Sequence, residues 1–130
     1  MFDCIQCNSK NNSKMDKILK YRQILQEVLT AYASNNGSRR IESPDEVQVR
    51  VLIDTQNDHY QVLNAGWQNG KQIFSVIFHF DLIDGKIWLQ RNISDYDIVE
   101  DLEAKGVPKK DIVLAFHSPE MRPYTDYAAA

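Results

Sequence analysis

The chain has 130 residues, which is enough for one domain with a substantial hydrophobic core. Hydrophobic residues make up 43% of it and charged residues 25%, as in ordinary soluble globular proteins. The formal net charge of −3 argues against an autonomous nucleic-acid-binding protein, which usually carries a basic face.

Neither export nor membrane insertion is expected. No apolar run approaches the roughly 20 residues that a membrane-spanning helix needs. The N-terminal segment lacks the apolar core of a secretory signal. We therefore expect a cytoplasmic protein without structural disulfides.

The first 14 residues are polar and rich in Asn, Ser and Lys, which predicts a disordered tail. The tail holds both cysteines of the chain, Cys4 and Cys7, in a single C-x-x-C. A zinc site would need two more ligands, and there is no second cysteine pair. We interpret the motif as two thiols in a solvated tail and expect one folded domain over residues 15–130.

Two amphipathic helices are predicted. The first runs from residue 17 to about residue 34, with apolar residues at helical spacing. These are Ile18, Tyr21, Leu25, Val28 and Tyr32. The second covers residues 95–105, because Gly106 and Pro108 follow it as helix stops commonly do. Each helix has one apolar side, which should dock on a sheet.

Four strands are predicted between the helices, from alternating apolar and polar residues. They cover residues 47–55, 59–67, 73–83 and 86–90. Asn69-Gly70 and Asp84-Gly85 are typical of tight hairpin turns, because these residues tolerate positive φ. The apolar segment 111–116 predicts a fifth strand at an edge. The expected fold is α+β: a twisted antiparallel meander of about five strands with two helices packed on one face.

The turns also predict how the strands pair. Three pairs define the register: Thr55 with Asp58, Trp67 with Lys71, and Ile83 with Lys86. One face of the sheet is then almost entirely apolar, so the helices should cover it. Its residues are Val47, Val49, Val51, Ile53, Tyr60, Val62, Phe74, Val76, Phe78, Phe80, Leu82, Ile87 and Leu89.

The opposite face, here called the mixed face, combines large apolar residues with polar ones. Such a face suggests that a partner protein or another copy of the chain covers it. We predict a partner interface formed by Leu52, Leu63, Ile77, Trp88, His59 and His79. The predicted register also aligns Asp54, His59, His79 and Gln90 in one row across the four strands.

The polar residues of the mixed face admit two interpretations. Two histidines and two carboxylates, His59, His79, Asp54 and Asp81, could ligate a divalent metal, and a neutral imidazole could act as a general base. This pattern gives an alternative prediction, a metal-dependent hydrolase or nuclease. Cross-strand polar pairs are ordinary in sheets, and a flat sheet face rarely forms a catalytic pocket. We therefore expect a hydrogen-bonded row without a metal or cofactor.

Five long stretches, taken in order from Met15 onward, show a family resemblance. They are MDKILKYRQILQEVLTAYA, DTQNDHYQVLNAGW, IFHFDLIDGKIWLQRN, GVPKKDIVLAFHSPE and RPYTDYAAA. In these stretches the chain resembles the XisI family of cyanobacteria, the fdxN element excision controlling factor proteins. The first 14 residues depart from the usual start of that family.

The resemblance implies an α+β domain and a role in programmed excision of a DNA element during heterocyst differentiation. It implies an accessory factor, since a separate site-specific recombinase performs the excision. It also implies a XisH-like partner, which resembles a nuclease-fold protein, and it carries no catalytic residues over to this chain. We therefore predict a non-enzymatic protein that acts through protein contacts, with self-association through the mixed face as a second arrangement.

Overall fold

The structure is a computed structural model that describes residues 9–36 and 43–130, with side chains from Lys14 onward. Cys4 and Cys7 therefore lie outside the described residues, as do residues 1–8 of the predicted tail. Within the described part of the chain, neither helix is long and apolar enough to cross a membrane.

The described residues form two helices and one five-stranded sheet, so the predicted α+β class is confirmed. The elements are α1 (Ser9–Asn35), β1 (Gln48–Asp54), β2 (His59–Gln68), β3 (Lys71–Ile83), β4 (Lys86–Asn92), α2 (Ile98–Ala104) and β5 (Ile112–Leu114). Short 3-10 helices cover Lys109–Asp111 and Arg122–Tyr124. The strand order is β1-β2-β3-β4-β5.

The first four strands form the predicted antiparallel meander, but β5 pairs parallel with β4. The expectation of a wholly antiparallel sheet was wrong at this strand. The chain passes through α2 after β4, and a connection of that length lets the next strand run in the same direction.

Helix α1 begins at Ser9, earlier than the start at residue 17 that the apolar spacing predicts. Extending an existing helix adds one hydrogen bond for each residue fixed, so a polar sequence can continue it. Helix α2 begins at Ile98 rather than at residue 95. Its N-cap is Asp97, whose carboxylate accepts a hydrogen bond from the backbone N–H of Glu100.

The core lies between the helices and the predicted apolar face of the sheet. The sheet contributes fully buried side chains from β2, β3 and β4, while α1 and α2 cover them. The largest of these buried residues are Tyr60, Phe78, Phe80, Leu25, Leu29, Ile87, Leu89, Ile98 and Leu102. Tyr32 of α1 meets Phe78 edge to face, with ring centroids 4.9 Å apart.

The predicted register is correct at both ends of the meander and wrong in the middle. Asp54 pairs with His59, and Ile83 pairs with Lys86, as expected. Between β2 and β3, however, His59 pairs with Asp81 rather than with His79. The predicted row of residues across four strands therefore does not form.

Two shifts of one residue each explain this difference. At the β2–β3 turn, Lys71 pairs with Gln68 rather than with Trp67 as predicted. The second shift is a β-bulge in β3. Val62 pairs with Phe78 and Leu63 with Val76, which leaves Ile77 as an extra residue on β3. Because side chains alternate with a period of two, one extra residue moves every position beyond it to the other face. Ile77 is buried in the core, so its assignment to the mixed face was wrong.

The shift at the turn brings two residues of the predicted apolar face onto the mixed face, and the bulge returns Phe78 and Phe80 to the core. Phe74 pairs with Ala65 and Val76 with Leu63, and these β2 residues lie opposite the core side. Phe74 is 68% exposed, so its assignment to the core was also wrong. A second irregularity, in β4, pairs His79 with Arg91 instead of Gln90.

Helix α1 is held to the β1–β2 turn by a charged contact. Arg22 donates two hydrogen bonds to the Asp58 carboxylate, at 2.8 and 3.1 Å, and the Tyr60 hydroxyl donates a third at 2.9 Å. The hydrogen bonds from Arg22 lower the pKa of Asp58 below its ordinary value of 3.8, although burial opposes the change. Asp58 itself has a φ of 59°, a backbone conformation that Asn also tolerates.

We expect Asp58→Asn to reduce the free energy of unfolding at neutral pH by about 1–2 kcal/mol, between the values for exposed ion pairs and for hydrogen bonds to charges. The folded-state pKa is depressed, so this stability is present above the unfolded value of 3.8 and is lost as pH falls through the folded pKa. The difference between wild type and variant, measured by urea unfolding, should therefore shrink below about pH 4.

Asp84→Asn is the matched control, because Asp84 is exposed and has a similar φ of 51° in the β3–β4 turn. This control should change stability by less than about 0.5 kcal/mol at either pH. An equal loss in both variants would show that the backbone conformation, and not the contact with Arg22, determines the effect.

The chain before β1 passes close to β2 at Gly66, which has a φ of 149°. A Cβ atom at this position would lie 2.5 Å from the Cα of Val47. The Trp67 N–H donates a 2.7 Å hydrogen bond to the Asp45 carbonyl, which fixes this approach. Only glycine fits here without moving the backbone.

Gly66→Ala should therefore destabilise the fold by about 1–3 kcal/mol more than Gly70→Ala, since overpacking adds to the cost of positive φ. Gly70 is the suitable comparison because a Cβ there would have no atom within 4 Å. Denaturant midpoints of the two variants measure the difference. Equal midpoints would contradict the close approach at Gly66.

Candidate functional site

The mixed face is formed by residues that pair across the strands on the side opposite the helices. Cross-strand partners point to the same side of a sheet, so the register identifies its members. They are Gln48, Arg50, Leu52 and Asp54 of β1, His59, Gln61, Leu63 and Ala65 of β2, Phe74, Val76, His79 and Asp81 of β3, and Trp88 and Arg91 of β4. All four large strands therefore contribute to it.

The apolar part of this face is more exposed than usual for large side chains. Leu52 is 51% exposed and Phe74 is 68% exposed. Beside Phe74 lies an open groove of about 530 Å³, lined by Gln61, Phe74, Ser75, Val76, His79, Gln90 and Arg91. Leu63 belongs to this face by pairing but is only 5% exposed, so it supports the surface rather than forming it.

Trp88 is half-buried because the C-terminal segment covers part of its ring. The Arg122 guanidinium carbon lies 5.3 Å from the ring centroid, a cation–π distance. Arg122 also donates hydrogen bonds to the carbonyls of His117 and Ala115, both at 3.0 Å, which fixes its orientation. The sequence predicted the correct face for Trp88. It did not predict that Arg122 covers the ring, because Arg122 lies in an irregular segment without a periodic pattern.

The two histidines of the mixed face meet at one carboxylate oxygen. Oδ1 of Asp81 lies 2.6 Å from Nδ1 of His59 and 2.8 Å from Nε2 of His79. The other ring nitrogen of His79, Nδ1, lies 2.9 Å from Oε1 of Gln61. Asp81 is therefore the centre of the cluster. The register predicted from the sequence had placed the two histidines directly opposite each other instead.

Asp54 does not join this cluster, although it pairs with His59 in the register. Its carboxylate accepts hydrogen bonds from the backbone N–H groups of Gln56 and Asn57, at 3.1 and 3.0 Å, and from the Asn57 amide. The backbone hydrogen bond from Asn57 lowers the pKa of Asp54. Asp54 thus closes the β1–β2 turn, and the four-residue ligand set is reduced to three among the described residues.

The electrostatics of the cluster favour a charged carboxylate. Burial raises the pKa of Asp81, but hydrogen bonds from His59 and His79 outweigh it, and the net pKa is lowered. The hydrogen bond to Asp81 in turn raises the pKa of His59. An anion held between two imidazoles can stabilise a proton or another cation.

Comparisons with known proteins agree with this architecture. The family model for the XisI protein matches residues 15–129. A XisI-like protein from Anabaena variabilis ATCC 29413 is 42% identical, with a TM-score of 0.76, and the match covers 87% of this chain and 99% of that chain.

The fdxN element excision controlling factor XisI from the same organism is 33% identical, with a TM-score of 0.76, over 88% of this chain and 99% of its own. No curated protein matches the chain. Because the family model covers nearly the whole chain and both structures share its fold at more than 30% identity, the chain belongs to the XisI family.

Proposed function

We propose that this chain is a non-enzymatic controlling factor for programmed excision of a DNA element during heterocyst differentiation, and that it works in the cytoplasm through protein contacts. The similar structure described as the fdxN element excision controlling factor supports the role in excision. Phe74 carries the argument for protein contacts, since it is a large aromatic residue in the middle of a sheet face and is 68% exposed.

The apolar surface around Phe74 extends across the sheet. Gln61 and His79 line the groove beside Phe74 and also a second cavity of about 260 Å³ beside Leu52. The two apolar regions therefore form one continuous surface with polar groups between them. Protein interfaces commonly combine exposed aromatic anchors with a polar rim in this way.

The partner that fits this proposal is a XisH-like protein, with a second copy of the chain as the other arrangement. A net charge of −3 supports protein contacts over direct contacts with DNA, whose backbone attracts basic surfaces. The exposed ring of Phe74 beside the groove also supports a protein partner, because large aromatic side chains commonly anchor protein interfaces.

A metal-dependent hydrolase or nuclease is the alternative function for the same face. It would use His59, His79, Asp54 and Asp81, but Asp54 is already bound by its own turn. The alternative predicts phosphodiester hydrolysis that needs a divalent metal and is abolished by His79→Ala. A purified chain that cleaves neither DNA nor a model diester in the presence of metal would favour the non-enzymatic role.

We expect Phe74→Glu to weaken binding of a co-purified XisH-like partner by at least about tenfold, which corresponds to ~1.4 kcal/mol. A charge at this position would have to be desolvated in the interface, while the exposed side chain contributes little to folding. Binding is measured by surface plasmon resonance with the partner immobilised. Circular dichroism of the variant checks that the fold is unchanged.

Leu19→Glu is the matched control, because Leu19 is also an exposed apolar residue, at 52%, but lies on α1. It should leave binding unchanged. Trp88→Ala should weaken binding less than Phe74→Glu does, since Arg122 already covers part of the Trp88 ring. If Leu19→Glu abolishes binding and Phe74→Glu does not, the partner binds a different surface.

A further inference from the structure

Three potential metal ligands meet on the mixed face. Nδ1 or Nε2 of His59 and His79 and a carboxylate oxygen of Asp81 all lie within 4.8 Å of one another. Two imidazoles and one carboxylate are the ligands of open zinc sites and of other two-histidine, one-carboxylate centres. We propose that His59, His79 and Asp81 bind a divalent metal ion of the zinc class.

The three side chains are positioned by regular strands, not by loops. His59 lies directly opposite Asp81 in the β2–β3 register, and His79 precedes Asp81 by two residues on the same face of β3. His59 and His79 therefore lie at the distances from Asp81 that a sheet imposes on residues of one face. A site on paired strands needs little ordering of the backbone when a metal binds.

Gln61 supplies an independent indication, because it orients His79. Its Oε1 lies 2.9 Å from Nδ1 of His79, and metal-bound histidines usually donate their second N–H to such an oxygen. When a metal binds, Nδ1 can keep its proton on that oxygen. Nε2, which contacts Oδ1 of Asp81 at 2.8 Å, then gives up its proton and offers its lone pair to the ion together with Oδ1.

There is space for further ligands on the outer side. The cavity of about 260 Å³ that borders His59, His79 and Leu52 opens next to the cluster, and the His59 side chain is 55% exposed. The contacts of 2.6 and 2.8 Å are shorter than the donor spacing in a bound site. That spacing is ~3.3 Å for bonds of about 2.0–2.2 Å, so small side-chain rotations accompany binding.

The experiment must separate this site from the thiols of Cys4 and Cys7. The parent protein is therefore the full chain with both cysteines replaced by serine, freed of metal with a chelator. Titration with Co²⁺ is followed by visible absorption, and Zn²⁺ is then added as a competitor. We expect one ion per chain, with affinity reduced at least about tenfold by each of His59→Ala, His79→Ala and Asp81→Asn.

His117→Ala is the matched control, since His117 is the third histidine of the chain and lies beside Phe116, with ring centroids 4.6 Å apart. It should bind Co²⁺ as the parent does. If His79→Ala loses secondary structure, exposed His59 and the isosteric Asp81→Asn decide the result. Absence of binding by the parent, or an equal loss in His117→Ala, would overturn the proposal.

The metal titration uses the chain alone, so its outcome does not depend on any partner protein. Binding of the XisH-like partner can fail while the metal site is present, and the reverse also holds. Metal bound in the wild-type chain but not in the cysteine-free parent would assign the ion to Cys4 and Cys7 and contradict the site on the sheet.

Discussion

The extra residue at Ile77 determines what each face of the sheet carries. Before the bulge, β3 directs Phe74 and Val76 to the mixed face; after it, the strand directs Phe78 and Phe80 to the core. One strand thereby supplies two of the three largest fully buried rings and also the most exposed aromatic side chain of the mixed face. With the observed pairing at the β2–β3 turn, an unbroken strand would have directed Phe78 and Phe80 to the mixed face together with Phe74, and the core would have lost both rings.

Helix α1 is held over the other face by two acidic groups near opposite edges of the sheet. Asp58 in the β1–β2 turn binds Arg22, while Asp111, immediately before β5, accepts a hydrogen bond from the Tyr21 hydroxyl and lies 3.0 Å from Nζ of Lys17. Asp111 is buried, so its charge needs both partners. Helix α1 is thus fixed at both edges, which leaves the mixed face as the side open to other molecules.

Most of the fold could be predicted from the sequence because the amphipathic helices and the turn residues act locally. The pairs Asp54–His59 and Ile83–Lys86 follow directly from short turns. The bulge could not be predicted, because Ile77 and Phe78 are both apolar and an unbroken alternation fits the sequence equally well. The histidines and Asp81 were therefore identified as a group, while their actual contacts depended on a register that only the folded sheet defines.

The position of the cluster affects how a partner can cover the mixed face. His79 lines the groove beside Phe74 and also contacts Asp81, so a protein docked on Phe74 would remove water from the Asp81 carboxylate as well. Burying an unpaired carboxylate would cost several kcal/mol. At ~1.4 kcal/mol for each tenfold in affinity, this cost corresponds to a loss of more than a hundredfold. Hydrogen bonds from the two imidazoles, or a metal between them, offset that cost. The same three side chains that resemble a catalytic cluster thus make a partly polar surface compatible with a protein interface.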